Sequence, residues 1–379
     1  MKQIKLKGKD IFDGYRFLGA NKVLVLDESG TVTGITDVTA GEEVQEIDGI
    51  LCPGFVNTHC HLELSHMKNV IPEGTGLPGF LTRVMQLRQQ NADQQAAAMA
   101  SAAQAMWEAG ISVVGDISNN AATISNKKND PIRYHTFVEC MGVADTGADS
   151  RYQFSMEVLQ QFHELDGPMH SCSIVPHAPY SVSRTLFGKI ANSPANSPVS
   201  IHNQETAAEN QLYHNKTGDF LDFYKTFGMD ISGFQPTGTN SLEAWLPDFS
   251  GQKMILVHNT FSTETDIRFA QQQASEIWWC LCPQANLYIE NRLPDIPLLR
   301  RMNCNIVVGT DSLASNHQLS IWEELQTIHR HYPEIPLEEL LQWATSNGAK
   351  ALGLEGYGNF QPGSRPGVVV INQEAKRII

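Results

Sequence analysis

The sequence predicts an α/β chain: a (β/α)8 TIM-type barrel carrying a small β-module built from both chain ends. Three observations point there. Eight short apolar runs of β texture alternate with helix-like segments over roughly 250 residues. Both chain ends carry short strands broken by turns. The rival architecture, a doubly wound sheet, normally shows a glycine-rich phosphate turn after its first strand. Here "GTGLPG" follows no strand and carries no Lys-Ser/Thr, and no G-x-S-x-G nucleophile elbow is present.

The elements follow in chain order. Up to about residue 50 the texture is short strands, as in "KVLVLDESGTVTGITDV", where apolar positions alternate around the turn-forming "DESG". After Pro53-Gly54 comes "FVNTHCH", the first barrel strand, and then "GISVVGDIS", preceded by the helical "NADQQAAAMASAAQAMWEAG". "IRYHTFVEC", "SCSIVPHA", "VSIHNQE", "MILVHNT", "IWWCLCP" and "NIVVGTDS" complete eight. "GSRPGVVVINQEAKRII" returns to β texture and is expected to pair with the N-terminal strands. The expected division is therefore 1–52 and 359–379 for the β-module and 53–358 for the barrel.

Composition narrows the function. The 379 residues are 41% hydrophobic and 18% charged, ample for a large core. A formal net charge of -14 argues against a nucleic-acid or anionic-membrane surface. No apolar run approaches the roughly 18 residues of a membrane span, and "MKQIKLKGKDIFDGY" does not read as a signal peptide. Seven scattered cysteines suggest reduced thiols and a cytoplasmic location. Cys280 and Cys282 form a C-x-C pair without a second pair at zinc-ribbon spacing, which reads as buried core thiols.

In a barrel, chemistry sits at the C-terminal ends of the strands. Those ends carry His59 and His61, then Asp116, Glu139, His177, His202, His258 and, on the eighth, Asp311. Side chains two apart on a strand share a face, so His59 and His61 aim two imidazoles at one point while Cys60 faces away. Imidazoles plus a carboxylate suit zinc, with iron or manganese as alternatives. His59, His61, His202 and Asp311 form the most economical ligand set. In "HNQETAAEN", Glu205 lies three residues past His202; a helical turn there would return it to the same side as a general acid–base.

The run His59-x-His61, "VPHAPYS" with His177, "HNQE", "VHN" and "GTDSLASN" resembles the amidohydrolase superfamily. It looks most like the branch of cytosine, guanine, adenosylhomocysteine and aminofutalosine deaminases and triazine chlorohydrolases. The similarity runs over nearly the whole chain, with "GAKALGLEGYGNFQPGSRPG" matching the exit from the barrel into a β-sandwich. The resemblance implies one divalent metal, zinc before iron, on His59, His61, His202 and Asp311. It also implies His258 and Asp311 orienting the attacking hydroxide, Glu205 carrying its proton, and His177 on the substrate's ring or sugar. "SCSIVPHAPYS" lacks the lysine that bridges two ions in two-metal relatives. The pair Pro366-Gly367 stands where the family's sandwich carries Ala-Asp.

"HLELSH" followed by "GTGLPGFLTRVMQLRQ" resembles the aminofutalosine deaminases. The expected activity is hydrolytic deamination of an adenine-type nucleoside with release of ammonia; the alternative is a related hydrolase acting on guanine, a triazine or an imino-acid. If the first strand continues, Glu63 shares the face of His59 and His61 and reaches a ribose hydroxyl. Arg151 and Arg292 stand as candidates for an anionic substrate group, against a solvated surface role. Asn286 and Asn291 fall in the loop after the seventh strand. The expected partner is a small molecule rather than nucleic acid or membrane, and a homodimer is compatible with the resemblance.

Overall fold

A computed structural model of the chain describes residues 3–41, 43–89, 92–165, 169–274 and 276–379. All eight expected core strands form: Phe55–Cys60, Ile111–Ser118, Arg133–Cys140, His170–Pro176, Val199–Asn203, Met254–His258, Ile277–Leu281 and Asn305–Val308. The first four make one parallel sheet in chain order and the last four another. Every residue of Ile111–Ser118 and Arg133–Cys140 is buried. That explains their continuous apolar texture, since a parallel sheet is covered on both faces. The alanine-rich helix spans Ala92–Glu108, its quoted first residue, Asn91, lying outside the described residues.

The two sheets touch at both seams. The backbone N–H of His202 donates to the carbonyl of His177 at 3.0 Å, joining the exits of the fourth and fifth strands. Beyond the eighth strand, Asp311 bridges Cys60 in parallel fashion, and the N–H groups of Thr310 and Asp311 both donate to the carbonyl of His59. The second seam sets residues about 250 positions apart side by side.

Both chain ends pair as expected. Val368–Ile371 runs antiparallel to Ile50–Pro53 and to Ala375–Arg377 in one four-stranded sheet. Gln3–Lys7, Lys22–Asp27, Val32–Asp37 and Gln45–Glu46 form a second. Leu6, Leu24, Leu26, Leu51 and Val368 share one apolar cluster between them. The carbonyls of the Pro366-Gly367 pair are both bonded: Ser112 Oγ donates to that of Pro366 at 2.5 Å and the Gly54 N–H to that of Gly367. Among the described residues, no helix is long and apolar enough to cross a membrane.

Candidate metal centre and substrate cavity

His59 is the penultimate residue of the first strand, fully buried, and His61 lies one residue beyond the strand's end, where the chain enters the 3-10 turn Leu62–Met67. Their rings still converge: the two Nε2 atoms are 3.1 Å apart, and His61 Nε2 is 3.2 Å from His202 Nε2. Asp311 Oδ1 lies 3.6 Å from His59 Nε2 and 3.3 Å from His61 Nε2. The edge of a tetrahedron with metal bonds of about 2.0–2.1 Å is about 3.3–3.4 Å long. The observed spacings scatter around that edge.

The donors are in ligand form. Burial holds the imidazoles of His59 and His202 down at about 4 and that of His61 at about 3, so all three are neutral near neutral pH. His202 Nδ1–H donates to the carbonyl of His177 at 2.8 Å, leaving the Nε2 lone pair for the cage. Burial alone would raise the Asp311 carboxyl. The hydrogen bond with His59 and the nearby imidazoles outweigh it and hold Asp311 well below its ordinary value. Ser315 Oγ donates to the other oxygen of Asp311. Four donors within 4.8 Å of one another, mutually neutral or anionic and with no cation among them, fit a divalent ion.

A second set, Glu139, His177 and His202, also converges within 4.8 Å. There Glu139 Oε1 lies 3.5 Å from His202 Nδ1, a nitrogen already bonded to the His177 carbonyl.

The turning points carry strain. Asp311, His258 and Asn259 adopt φ of 57°, 73° and 58°, a left-handed region costly for residues with a Cβ. Each lies just where a strand must hand its side chain to the site. His258 Nε2 is buried without a hydrogen-bond partner and faces Glu205 Oε1 at 3.7 Å. Asn286 Nδ2 approaches its other nitrogen at 3.4 Å and donates to Thr260 Oγ1 at 2.6 Å. Glu205 arrives by a different route from the expected helical turn. The helix starts only at Ala207, and a left-handed residue, Gln204 at φ 46°, swings Glu205 inward from the loop before it. Burial, then the charge of Asp311, pushes the Glu205 carboxyl well above its usual range.

These groups open onto a cavity of about 350 Å³ whose lining includes His61, Glu63, Glu139, His177, Glu205 and Asp311. Phe80, Leu81 and Val84 of the helix Leu77–Leu87 supply an apolar wall. His177 Nδ1 lies 2.6 Å from Ser181 Oγ, which fixes the ring against the cavity. Glu63 reaches the lining from the 3-10 turn, because the strand stops at Cys60. Asn119 donates its backbone N–H and its side chain to Glu63 at 3.0 and 2.9 Å, and its side chain also meets Glu139 at 3.1 Å.

Arg151 lines the cavity; Arg292 is absent from its lining and lays its guanidinium over the Phe261 ring at 4.6 Å. Arg88, which sequence reasoning missed, lines it instead and sits 3.9 Å from Glu63. Asn119 was missed as well. Asn119 directly follows the second strand's last residue, so the strand-end rule could have found it, whereas nothing local marks Arg88, just past the helix Leu77–Leu87. Asp116 faces away from the cage: it takes the Leu62 N–H at 2.9 Å and pairs with buried Lys127 at 2.6 Å. Asn291 terminates the helix Pro283–Glu290 in a left-handed, exposed position. Cys280 and Cys282 are free, buried thiols.

Residues 50–378 match the Amidohydrolase family, and the chain belongs to it. It is 26% identical over 321 residues to an adenosine deaminase of Helicobacter pylori, covering 81% of this chain and 75% of that one. It is 25% identical over 315 residues to an aminodeoxyfutalosine deaminase of Nitratiruptor sp., covering 82% and 76%. The fold matches the crystal structure of Helicobacter pylori aminofutalosine deaminase in complex with methylthio-coformycin. The TM-score is 0.83 at 23% identity, over 98% of this chain and 93% of that one.

Proposed function

We propose that this protein is a metal-dependent hydrolase that deaminates an adenine-type nucleoside. The observation that carries the reading is the convergence of His59, His61, His202 and Asp311 on one point, with Glu205 and His258 facing each other beside it. The names of its relatives, adenosine deaminase and aminodeoxyfutalosine deaminase, support the substrate class. In this reading the eight strands close into a (β/α)8 barrel over 53–358, and the two outer sheets, from 1–52 and 359–379, form a β-sandwich.

Zinc is the ion we assign to the cage. Held there, it supplies Lewis-acid polarisation and lowers the pKa of water toward about 7. The chain's own residues do the rest. Glu205, buried and prone to hold a proton, takes one from water at its carboxylate oxygen and passes it to the ring nitrogen beside the amino-bearing carbon. A second transfer places a proton on the departing amino group, so the C–N bond breaks, ammonia leaves and oxygen takes its place. His258 and Asp311 orient the water. His177 holds the base or sugar, while Glu63, anchored by Asn119, meets a sugar hydroxyl and Arg151 an anionic substituent.

The test is ammonia release by metal-assayed protein on adenosine, 5'-deoxyadenosine, methylthioadenosine, adenosylhomocysteine and aminodeoxyfutalosine. Turnover of one of them, lost in Glu205→Gln with metal retained, supports the reading. Silence on all five with one metal bound per chain overturns it.

A further inference from the structure

Behind Glu205 lies a buried carboxylate that no step of this chemistry uses. Glu209 is completely buried in the first turn of the helix Ala207–Asn215. The stretch "TAAE", residues 206–209, has the form of a capping box, in which a glutamate three residues past the N-cap reaches back to the N-cap N–H. Here the glutamate reaches further. Its Oε1 accepts the backbone N–H of Gln204 at 3.0 Å, while its Oε2 is buried without a hydrogen-bond partner. Ser241 Oγ donates to the same Oε1. Thr206 makes no side-chain cap bond of its own.

The N–H group held this way is that of Gln204, in the turn that aims Glu205. Gln204 sits at φ 46°, a conformation its Cβ disfavours, so outside contacts must hold it there. Its side chain is pinned by Asp266 at 2.9 Å and by Ser262 at 2.5 Å, and its carbonyl takes the Phe261 N–H at 2.9 Å. Those contacts grip the outside of the turn. Glu209 takes the Gln204 backbone N–H from within it.

We propose that Glu209 is a positioning residue that holds the left-handed turn at Gln204 and thereby directs the Glu205 carboxylate into the cavity. The inference rests on the role given to Glu205 above. A misplacement of about 1 Å in a catalytic group costs on the order of 100-fold in rate. Glu209→Ala is therefore expected to lose about 10- to 100-fold in kcat on the best nucleoside of the panel, with KM and metal content unchanged. Amide hydrogen exchange in the peptide 199–209 should rise at Gln204. Glu209→Gln, which keeps an acceptor oxygen at the same reach, should restore both the protection and most of the rate.

A kcat within twofold of the unmodified protein overturns the proposal, as does a loss of kcat with the Gln204 amide as protected as before. Should Glu209→Ala fail to fold, Ser241→Ala decides: the proposal expects a several-fold loss of kcat with faster exchange at Gln204, and fails if neither changes. Glu205→Gln separates this from the larger reading. Full activity in that variant removes the shuttle role itself, whereas its inactivity beside an active Glu209→Ala removes only the positioning role.

Discussion

Glu324 offers a test of how the Asp311 loop is supported. It is fully buried; its Oε1 accepts Asn316 Nδ2 at 2.8 Å and its Oε2 the Gln284 N–H at 2.9 Å. The same Asn316 amide donates to the Thr310 carbonyl at 2.9 Å, next to Asp311. Burial is the main cause that pushes the Glu324 carboxyl from 4.5 up to about 8, with the Asp311 charge adding to it. A carboxyl whose folded pKa is raised stays neutral in the fold while the unfolded chain ionises. Its stabilising contribution is full below the unfolded value and is lost as pH climbs toward the folded one. At about 1.4 kcal/mol per pH unit, the loss between about pH 5 and about pH 7.5 amounts to roughly 3 kcal/mol.

Glu324→Gln removes the titration and leaves a constant offset. The unfolding free energy of the unmodified protein, measured in urea and taken relative to the variant's, should therefore fall by roughly 3 kcal/mol over that window. Chelator is kept present so that metal binding adds no pH dependence of its own. A difference flat to within about 1 kcal/mol would refute the reasoning.

Three further outcomes are expected. His59→Ala removes one of four donors and should lose most bound metal in elemental analysis while the circular dichroism spectrum is kept; full occupancy would sink the ligand assignment. Gly309→Ala would put a Cβ 2.8 Å from both the Cβ and the carbonyl oxygen of His59, so metal affinity should drop although residue 309 touches no metal. Equal affinity would mean that the eighth strand yields freely there. Lys127→Met strands Asp116, whose partner nitrogen lies 2.6 Å away with both side chains at 0% exposure; about 3–5 kcal/mol of stability should go, read by urea unfolding.

Much of the site could be read locally. His59 and His61 face one point because two residues of extended chain return a side chain to the same face, and the 3-10 turn starts too late to spoil it. The eight strands were visible as apolar runs because sheets covered on both faces demand continuous hydrophobic stretches. His202, His258 and Asp311 were found by one rule, that polar residues ending such runs gather at one rim. Glu205 was found for the wrong local reason: the turn that places it is a left-handed Gln204, which no helical period announces.

The remainder depended on the tertiary structure. Arg88 rather than Arg292 faces the cavity because the helix Leu77–Leu87 packs over the rim, whereas the Arg292 guanidinium finds the Phe261 ring nearer at hand. Asn119 bridges Glu63 and Glu139 because adjacent strands bring three distant positions together. Periodicity is a local property of the backbone, so the sequence by itself determined which residues could be metal ligands and on which elements. Side-chain partners across the seams depend on how far each strand advances before it turns, and only the packed chain decides that.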